Sequence, residues 1–110
     1  MELIKALRLL SDESRVRILR LLEQEDLSVA DLQEILGMGQ SRISTHLGLL
    51  QEAGLLQSRR EGKRTFYKLT DHTNGVAREF IQLAVRGARE LAEYPADQIN
   101  LKRILGRRRE

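Results

Sequence analysis

Between positions 59 and 68 the chain carries five cations, Arg59, Arg60, Lys63, Arg64 and Lys68, against one acid, Glu61. Shortly before them, Gln40-Ser41-Arg42-Ile43-Ser44-Thr45-His46 sets amide, hydroxyl, guanidinium and imidazole groups around one aliphatic side chain. Clustered cations suit a polyanion, because phosphates ask for charge without base-level geometry. An arginine can also contact guanine through two hydrogen bonds, and a glutamine can do the same to adenine. Other chemistries lack their parts. With no cysteine, thiolate catalysis, a disulfide scaffold, an iron–sulfur cluster and a thiolate metal site are excluded. No paired carboxylates, nucleophile–base pair or phosphate loop is present, and Gly37-Met38-Gly39 is too short for a dinucleotide fingerprint. The expectation is a protein that is not an enzyme and uses no cofactor and no metal.

A chain of 110 residues is one domain, with at most a tail. Hydrophobic residues make up 41% and charged residues 32%, which fits a folded domain held by helix packing. The net charge of +3 is segregated: residues 40–69 hold six basic and two acidic side chains, and the last ten hold five and one. The flanking stretches are acidic. Such segregation is the electrostatic footprint of a polyanion partner, although a solvated basic surface would share it. No apolar run approaches membrane-spanning length, and Met1-Glu2-Leu3-Ile4-Lys5 lacks a charged-then-apolar signal pattern. A cytoplasmic protein with no membrane partner is expected.

The elements that must position these groups follow from periodicity and capping. Residues 2–10 read as a short helix with Leu3, Leu7 and Leu10 on one side. Asp12 caps a second helix over 13–24, in which Arg15, Arg17 and Arg20 interleave with Val16, Ile18, Leu19, Leu21 and Leu22. Ser28-Val29-Ala30-Asp31 is a capping-box pattern opening a third helix through Leu36, which Gly37 ends. A fourth helix runs from about Gln40 to Ala53 with Ile43, Leu47 and Leu50 on a buried stripe, and Gly54 stops it. Two strand-like runs around Glu61-Gly62-Lys63 predict a β-hairpin. Phe66, Tyr67 and Leu69 are expected to anchor its return strand to the core. Residues 74–93 read as one long helix broken by Pro95, and 97–106 as a further helix. The organisation expected is a domain over 1–94 followed by a basic helix or linker over 95–110.

Two helices joined by a tight glycine turn, 28–36 and 40–53, match a helix-turn-helix. With Ile43 at the centre of the buried stripe, Ser41, Thr45, Gly48 and Glu52 point away, flanked by Arg42, Ser44 and Leu49. A face of small polar residues can enter a major groove about 12 Å wide. Gln40 and the helix N-terminus can reach a base edge or a phosphate. An ordinary surface helix would instead favour Glu and Lys at these positions. His46 lies at the edge of the stripe, where a phosphate or base contact and a packed boundary residue both remain open. The DNA-contacting set expected is Gln40, Ser41, Arg42, Ser44, Thr45 and His46 from the helix, with Arg59, Arg60, Lys63 and Arg64 from the hairpin. A basic edge strand that resists aggregation is the plainer reading of the hairpin.

The long helix is apolar over more of its surface than one core contact requires. Phe80, Leu83, Ala84, Gly87 and Leu91, joined by Leu3 and Leu7, are the expected dimer interface; a purely intramolecular core is the alternative. A twofold dimer would present two reading helices to a twofold site.

Over residues 3–92 the sequence resembles the ArsR/SmtB family of winged-helix repressors. The resemblance is carried by the stretches 10–19, 41–50, 52–55 and 60–67, including Leu10-Ser11-Asp12-Glu13-Ser14-Arg15 and Ser41-Arg42-Ile43-Ser44-Thr45-His46-Leu47. It implies a mostly α (α+β) winged helix-turn-helix with a two-stranded β-wing at about 55–69. It also implies a recognition helix at 40–53 and a homodimer formed by the flanking N- and C-terminal helices. Many members sense metal through cysteines at the start of the third helix. The matching Leu27-Ser28-Val29-Ala30-Asp31 has Ser28 and Ala30 instead, and Asp71-His72 lacks the offset of a second family site. His72 is read as a turn residue before a helix. The function expected is a dimeric repressor that binds double-stranded DNA sequence-specifically, without those thiolates. The chain is also similar to the regulator-like portion of proteins in which this domain precedes an S-adenosylmethionine-dependent methyltransferase. A regulatory or dimerisation module of such an enzyme is therefore the alternative.

Overall fold

The computed structural model describes residues 3–71 and 75–108; His72, read above as a turn residue, lies outside them. The order is α1 (Leu3–Leu10), α2 (Glu13–Gln24), β1 (Leu27–Ser28), α3 (Val29–Leu36), α4 (Gln40–Glu52), β2 (Leu56–Glu61), β3 (Arg64–Leu69), α5 (Gly75–Gly87) and α6 (Tyr94–Arg108).

Local signals set most boundaries. The Asp12 side chain accepts from the backbone N–H groups of Ser14 at 2.8 Å and Arg15 at 3.2 Å, which satisfies two orphan donors at the start of α2. At α3 the capping box closes both ways. Ser28 N donates to Asp31 Oδ2 at 2.9 Å, and Asp31 N donates to Ser28 Oγ at 3.1 Å. Gly37 ends this helix in the left-handed conformation, φ 68°, which costs a glycine little. The end of α4 is a Schellman turn: Gly54, φ 81°, donates to Gln51 O at 2.9 Å, and Leu55 donates to Leu50 O at 3.0 Å. This turn sends the chain straight from α4 into the hairpin.

The core gathers one stripe from each helix. Ile18, Leu19, Leu32, Ile43, Leu47 and Leu50 are wholly buried, and each such side chain contributes roughly 1.5–3 kcal/mol. From α1 it is Ala6 and Leu9 that turn inward, whereas Leu3, Ile4 and Leu7 are exposed. The arginines interleaved along α2 act as internal rivets. Arg17 meets Asp97 of α6 through two 2.8 Å hydrogen bonds. Arg20 donates to Val85 O and Tyr94 Oη and lies over the Tyr94 ring.

Two expectations change. The sheet has a third strand: β1 pairs antiparallel with β3 (Leu27 with Tyr67, Ser28 with Phe66), giving the order β1-β3-β2. This covers an edge of β3 that would otherwise hold unpaired backbone groups. The expected helix over 74–93 ends at Gly87, continues as a 3-10 turn over Ala88–Glu90, and breaks at extended Leu91. Pro95 lies in the first turn of α6 rather than ending a helix; a missing N–H is harmless there. Within the segment expected as a basic helix or linker, residues 95–108 belong to α6, and Leu101 and Ile104 sit in the same core as α2 and α3.

Candidate nucleic-acid interface

α4 divides cleanly into two faces. Ile43, Leu47 and Leu50 are inside, while Gln40, Ser41, Arg42, Ser44, Thr45, Gly48, Leu49 and Glu52 are exposed. The Arg42 side chain forms no hydrogen bond or ion pair with the described residues. Thr45 Oγ1 donates back to Ser41 O at 2.9 Å, leaving the hydroxyl oxygen as an acceptor. Space around Gly48 is open. This face is small, polar and tipped by one unengaged guanidinium.

His46 departs from that pattern. It is 8% exposed, and its Nδ1 lies 3.3 Å from Nη1 of Arg15 on α2. Burial holds the imidazole below its ordinary value, with the charges of Arg15 and Arg42 acting in the same direction and Asp12 opposing them. His46 is packed at the boundary of the buried stripe. The Asp12 carboxyl, which burial alone would raise, is brought below its ordinary value by the Arg15 backbone N–H, the Arg15 charge and the Ser14 N–H.

The hairpin rises directly from α4, and Gln51 Nε2 donates to Ser58 Oγ at 3.1 Å across the junction. Its strands pair from Leu56–Leu69 to Glu61–Arg64, leaving Gly62-Lys63 as the loop. Gly62 has φ 61°, and no non-glycine residue has positive φ, the pattern of a type II′ turn. The five hairpin cations are exposed but differ in their commitments. Arg59 pairs with Asp26 and, at 2.9 Å, with Glu61, and these two acids push its pKa up. Arg60 donates to Gly62 O at 3.1 Å. The side chains of Lys63, Arg64 and Lys68 form no hydrogen bond or ion pair with the described residues. The uncommitted cationic charge is therefore concentrated at the tip and on the return strand. Tyr67 and Leu69 pack on the core as expected. Phe66 does not: its ring is flanked by the guanidiniums of Arg59 and Arg108, 5.1 and 5.5 Å from its centroid.

The residues expected at a dimer interface split. Leu3, Leu7 and Leu83 are exposed, the last 57%. Phe80, Gly87 and Leu91 are half-buried, and Ala84 is turned into the protomer's own core. Ile4 and Val76 are also exposed, three positions from Leu7 and seven from Leu83. No group of three or more His, Cys, Asp or Glu side chains among the described residues could hold a metal ion. Ser28 spends its hydroxyl in the capping box, and Ala30 offers no donor. No helix among them is long and apolar enough to cross a membrane.

The family model described as "Bacterial regulatory protein, arsR family" matches residues 12–58, from the cap of α2 into the hairpin. The arsenical resistance operon repressor of Escherichia coli is 41% identical over 88 residues, 79% of this chain and 75% of that protein. Reduced HlyU from Vibrio cholerae superposes with a TM-score of 0.67 at 29% identity, covering 81% of this chain and 87% of that one. The transcriptional repressor BigR from Xylella fastidiosa does so with 0.63 at 30% identity, covering 78% and 79%. With a polar outward face on α4, a cationic hairpin beside it and a relative this similar over three quarters of its length, the chain belongs to the ArsR family of winged helix-turn-helix regulators.

Proposed function

We propose that the protein is a sequence-specific repressor that works in the cytoplasm as a homodimer and blocks transcription by occupying its operator. The observation that carries the reading is the division of labour on the outer surface. α4 offers hydroxyls, an amide and the unengaged Arg42, groups suited to base edges. The hairpin offers Lys63, Arg64 and Lys68, suited to phosphates. The arsenical resistance operon repressor and BigR are repressors by name.

Dimerisation is supported by where apolar surface is left over. Among the described residues, five of the seven exposed large hydrophobics lie on α1 and α5: Leu3, Ile4, Leu7, Val76 and Leu83. These two helices pack on each other, so the exposed side chains can be covered together by a twofold-related copy. In this reading the family's thiolate metal sensor is missing, because Ser28 and Ala30 stand at its positions.

The test is selection of bound duplexes from a random pool, followed by titration of the winner and of a scrambled duplex in parallel. A specific regulator enriches a twofold sequence and binds it in preference. Retention of no duplex at low salt would sink the reading. Sedimentation of wild type and of Leu7→Glu/Leu83→Glu checks the oligomer: wild type should run as a dimer and the variant as a folded monomer. Added zinc should leave operator affinity unchanged.

A further inference from the structure

The C-terminal helix ends on the root of the wing. Leu101 and Ile104 seat α6 in the core, where it packs on α3. In its last turn Arg107 pairs with Glu34 and Arg108 with Asp31, both on α3. Arg108 Nη1 also donates to the carbonyl of Asp26, just before β1, at 3.1 Å. Its guanidinium lies over the Phe66 ring, which receives Arg59 as well. Phe66 is in register with Ser28 on β1 and Arg59 on β2, at the middle of the sheet where the wing leaves the body. Asp26 joins the cluster twice, through its carboxylate to Arg59 and its carbonyl to Arg108. Asp31 closes the α3 capping box and pairs with Arg108 through the same Oδ2.

We propose that Arg108 is a positioning residue for the wing: by clamping Phe66, Asp26 and Asp31 together, it lets α6 set how Lys63 and Arg64 are presented to the duplex. The inference rests on the DNA-binding reading above. A two-stranded ribbon is marginal in water without further packing. Beyond Leu56 every β2 residue is exposed, and β1 supports β3 over only two residues. The Arg108–Phe66–Arg59 stack is a tertiary contact between the end of α6 and this ribbon. Guanidinium stacking and charge-assisted hydrogen bonds at half-exposed sites are strong enough to bias such an element. Arg64 lines the same cleft between α3 and α6 as Arg107 and Arg108, so a direct phosphate contact by Arg108 is the competing role.

Two variants test it, Arg108→Ala and Phe66→Leu, each with two readouts. Without DNA, amide hydrogen exchange across 57–68 should quicken about three- to tenfold in both variants, the scale expected for one lost cation–π contact. Protection in α2 and α4 should hold, which separates wing release from unfolding. With operator DNA, affinity should fall by a similar factor, and Lys63→Ala/Arg64→Ala should cost less in the Arg108→Ala background than in wild type. Arg108→Lys keeps the charge but not the planar fork, and should not restore either readout. Unchanged exchange in the wing overturns the proposal. Strictly additive DNA losses, or full rescue by lysine, make Arg108 a phosphate ligand and overturn it too. If wild type binds no duplex, the DNA-binding reading fails on its own, and the exchange data still decide whether α6 holds the wing.

Discussion

Arg15 of α2 ties α4 to the end of α1: its Nη1 lies 3.3 Å from His46 Nδ1, while its Nε donates to Leu9 O at 2.6 Å. Arginine is donor-only, so Nδ1 of His46 must be the acceptor and the ring neutral, with its proton on Nε2. The helix proposed to read the duplex is thus joined through one side chain to the helix whose outer surface is apolar.

This geometry makes stability depend on pH. The folded His46 value lies below the ordinary 6.5, first because the ring is buried. The unfolded chain therefore takes up the proton first as pH falls. The contribution of the neutral ring is complete above the unfolded value and is lost as pH falls through the folded one. His46→Gln keeps an acceptor that does not titrate. Urea midpoints measured from about pH 7.5 down to about pH 5 should drop more steeply for wild type than for this variant. Other titrating groups are common to both proteins and cancel. Parallel curves would show that His46 stays unprotonated, or is equally free, in both states.

Base reading and phosphate gripping should separate by residue. Arg42→Ala is expected to weaken the selected operator by about 1–3 kcal/mol and random duplex much less. Lys63→Ala/Arg64→Ala should weaken both duplexes alike and reduce the salt dependence by about one counterion per lost phosphate contact. Arg59→Ala should change that slope least, since Arg59 is already paired with Asp26 and Glu61. Titrations at several salt concentrations decide it. Equal loss on both duplexes for Arg42→Ala removes it from the base-reading set.

Gly48 lies mid-helix on the outward face of α4 with open space around it. Gly48→Ala should stabilise the fold by roughly 0.5–1 kcal/mol, because alanine loses less backbone entropy in a helix. The added methyl group should hinder close approach to the groove, so operator affinity should fall while the urea midpoint rises. A variant that gains both would show that Gly48 does not face the duplex.

The Arg17–Asp97 pair is the most enclosed ion pair among the described residues, with side chains 14% and 7% exposed. The hydrogen-bonded Asp97 carboxylate raises the Arg17 pKa further. Asp97→Ala leaves the guanidinium enclosed without its partner and should cost about 3 kcal/mol or more. Arg17→Met/Asp97→Leu should recover most of that loss, because an apolar pair of similar volume needs no desolvation of charge. Chemical denaturation of the three proteins tests this; a single-variant cost below about 1 kcal/mol, the level of an exposed pair, would mean the site is wetter than its burial suggests.

What was legible beforehand was local. The Ser28–Asp31 capping box, the Ile43–Leu47–Leu50 stripe and the glycine stops at 37 and 54 all appear in the structure where their spacing placed them. Each rests on contacts within about one turn of helix, a distance at which residue spacing is spatial geometry. The hairpin was legible for the same reason, since its two-residue loop carries its own backbone requirement at Gly62.

What was not legible depends on partners far away along the chain. Nothing in Leu27-Ser28 announces a strand; it becomes one because β3, some forty positions later, offers an edge. Arg15, Arg17, Arg20, Arg59 and Arg108 looked alike as cations, yet packing committed each to a carbonyl, carboxylate or ring elsewhere in the fold. Arg42, Lys63 and Arg64 were left for solvent. The amino-acid order alone determined most helices, the hairpin and their apolar faces, because periodicity and capping are short-range. Only the tertiary structure decided which charges remain available to a polyanion, because pairing across the fold depends on where each helix docks.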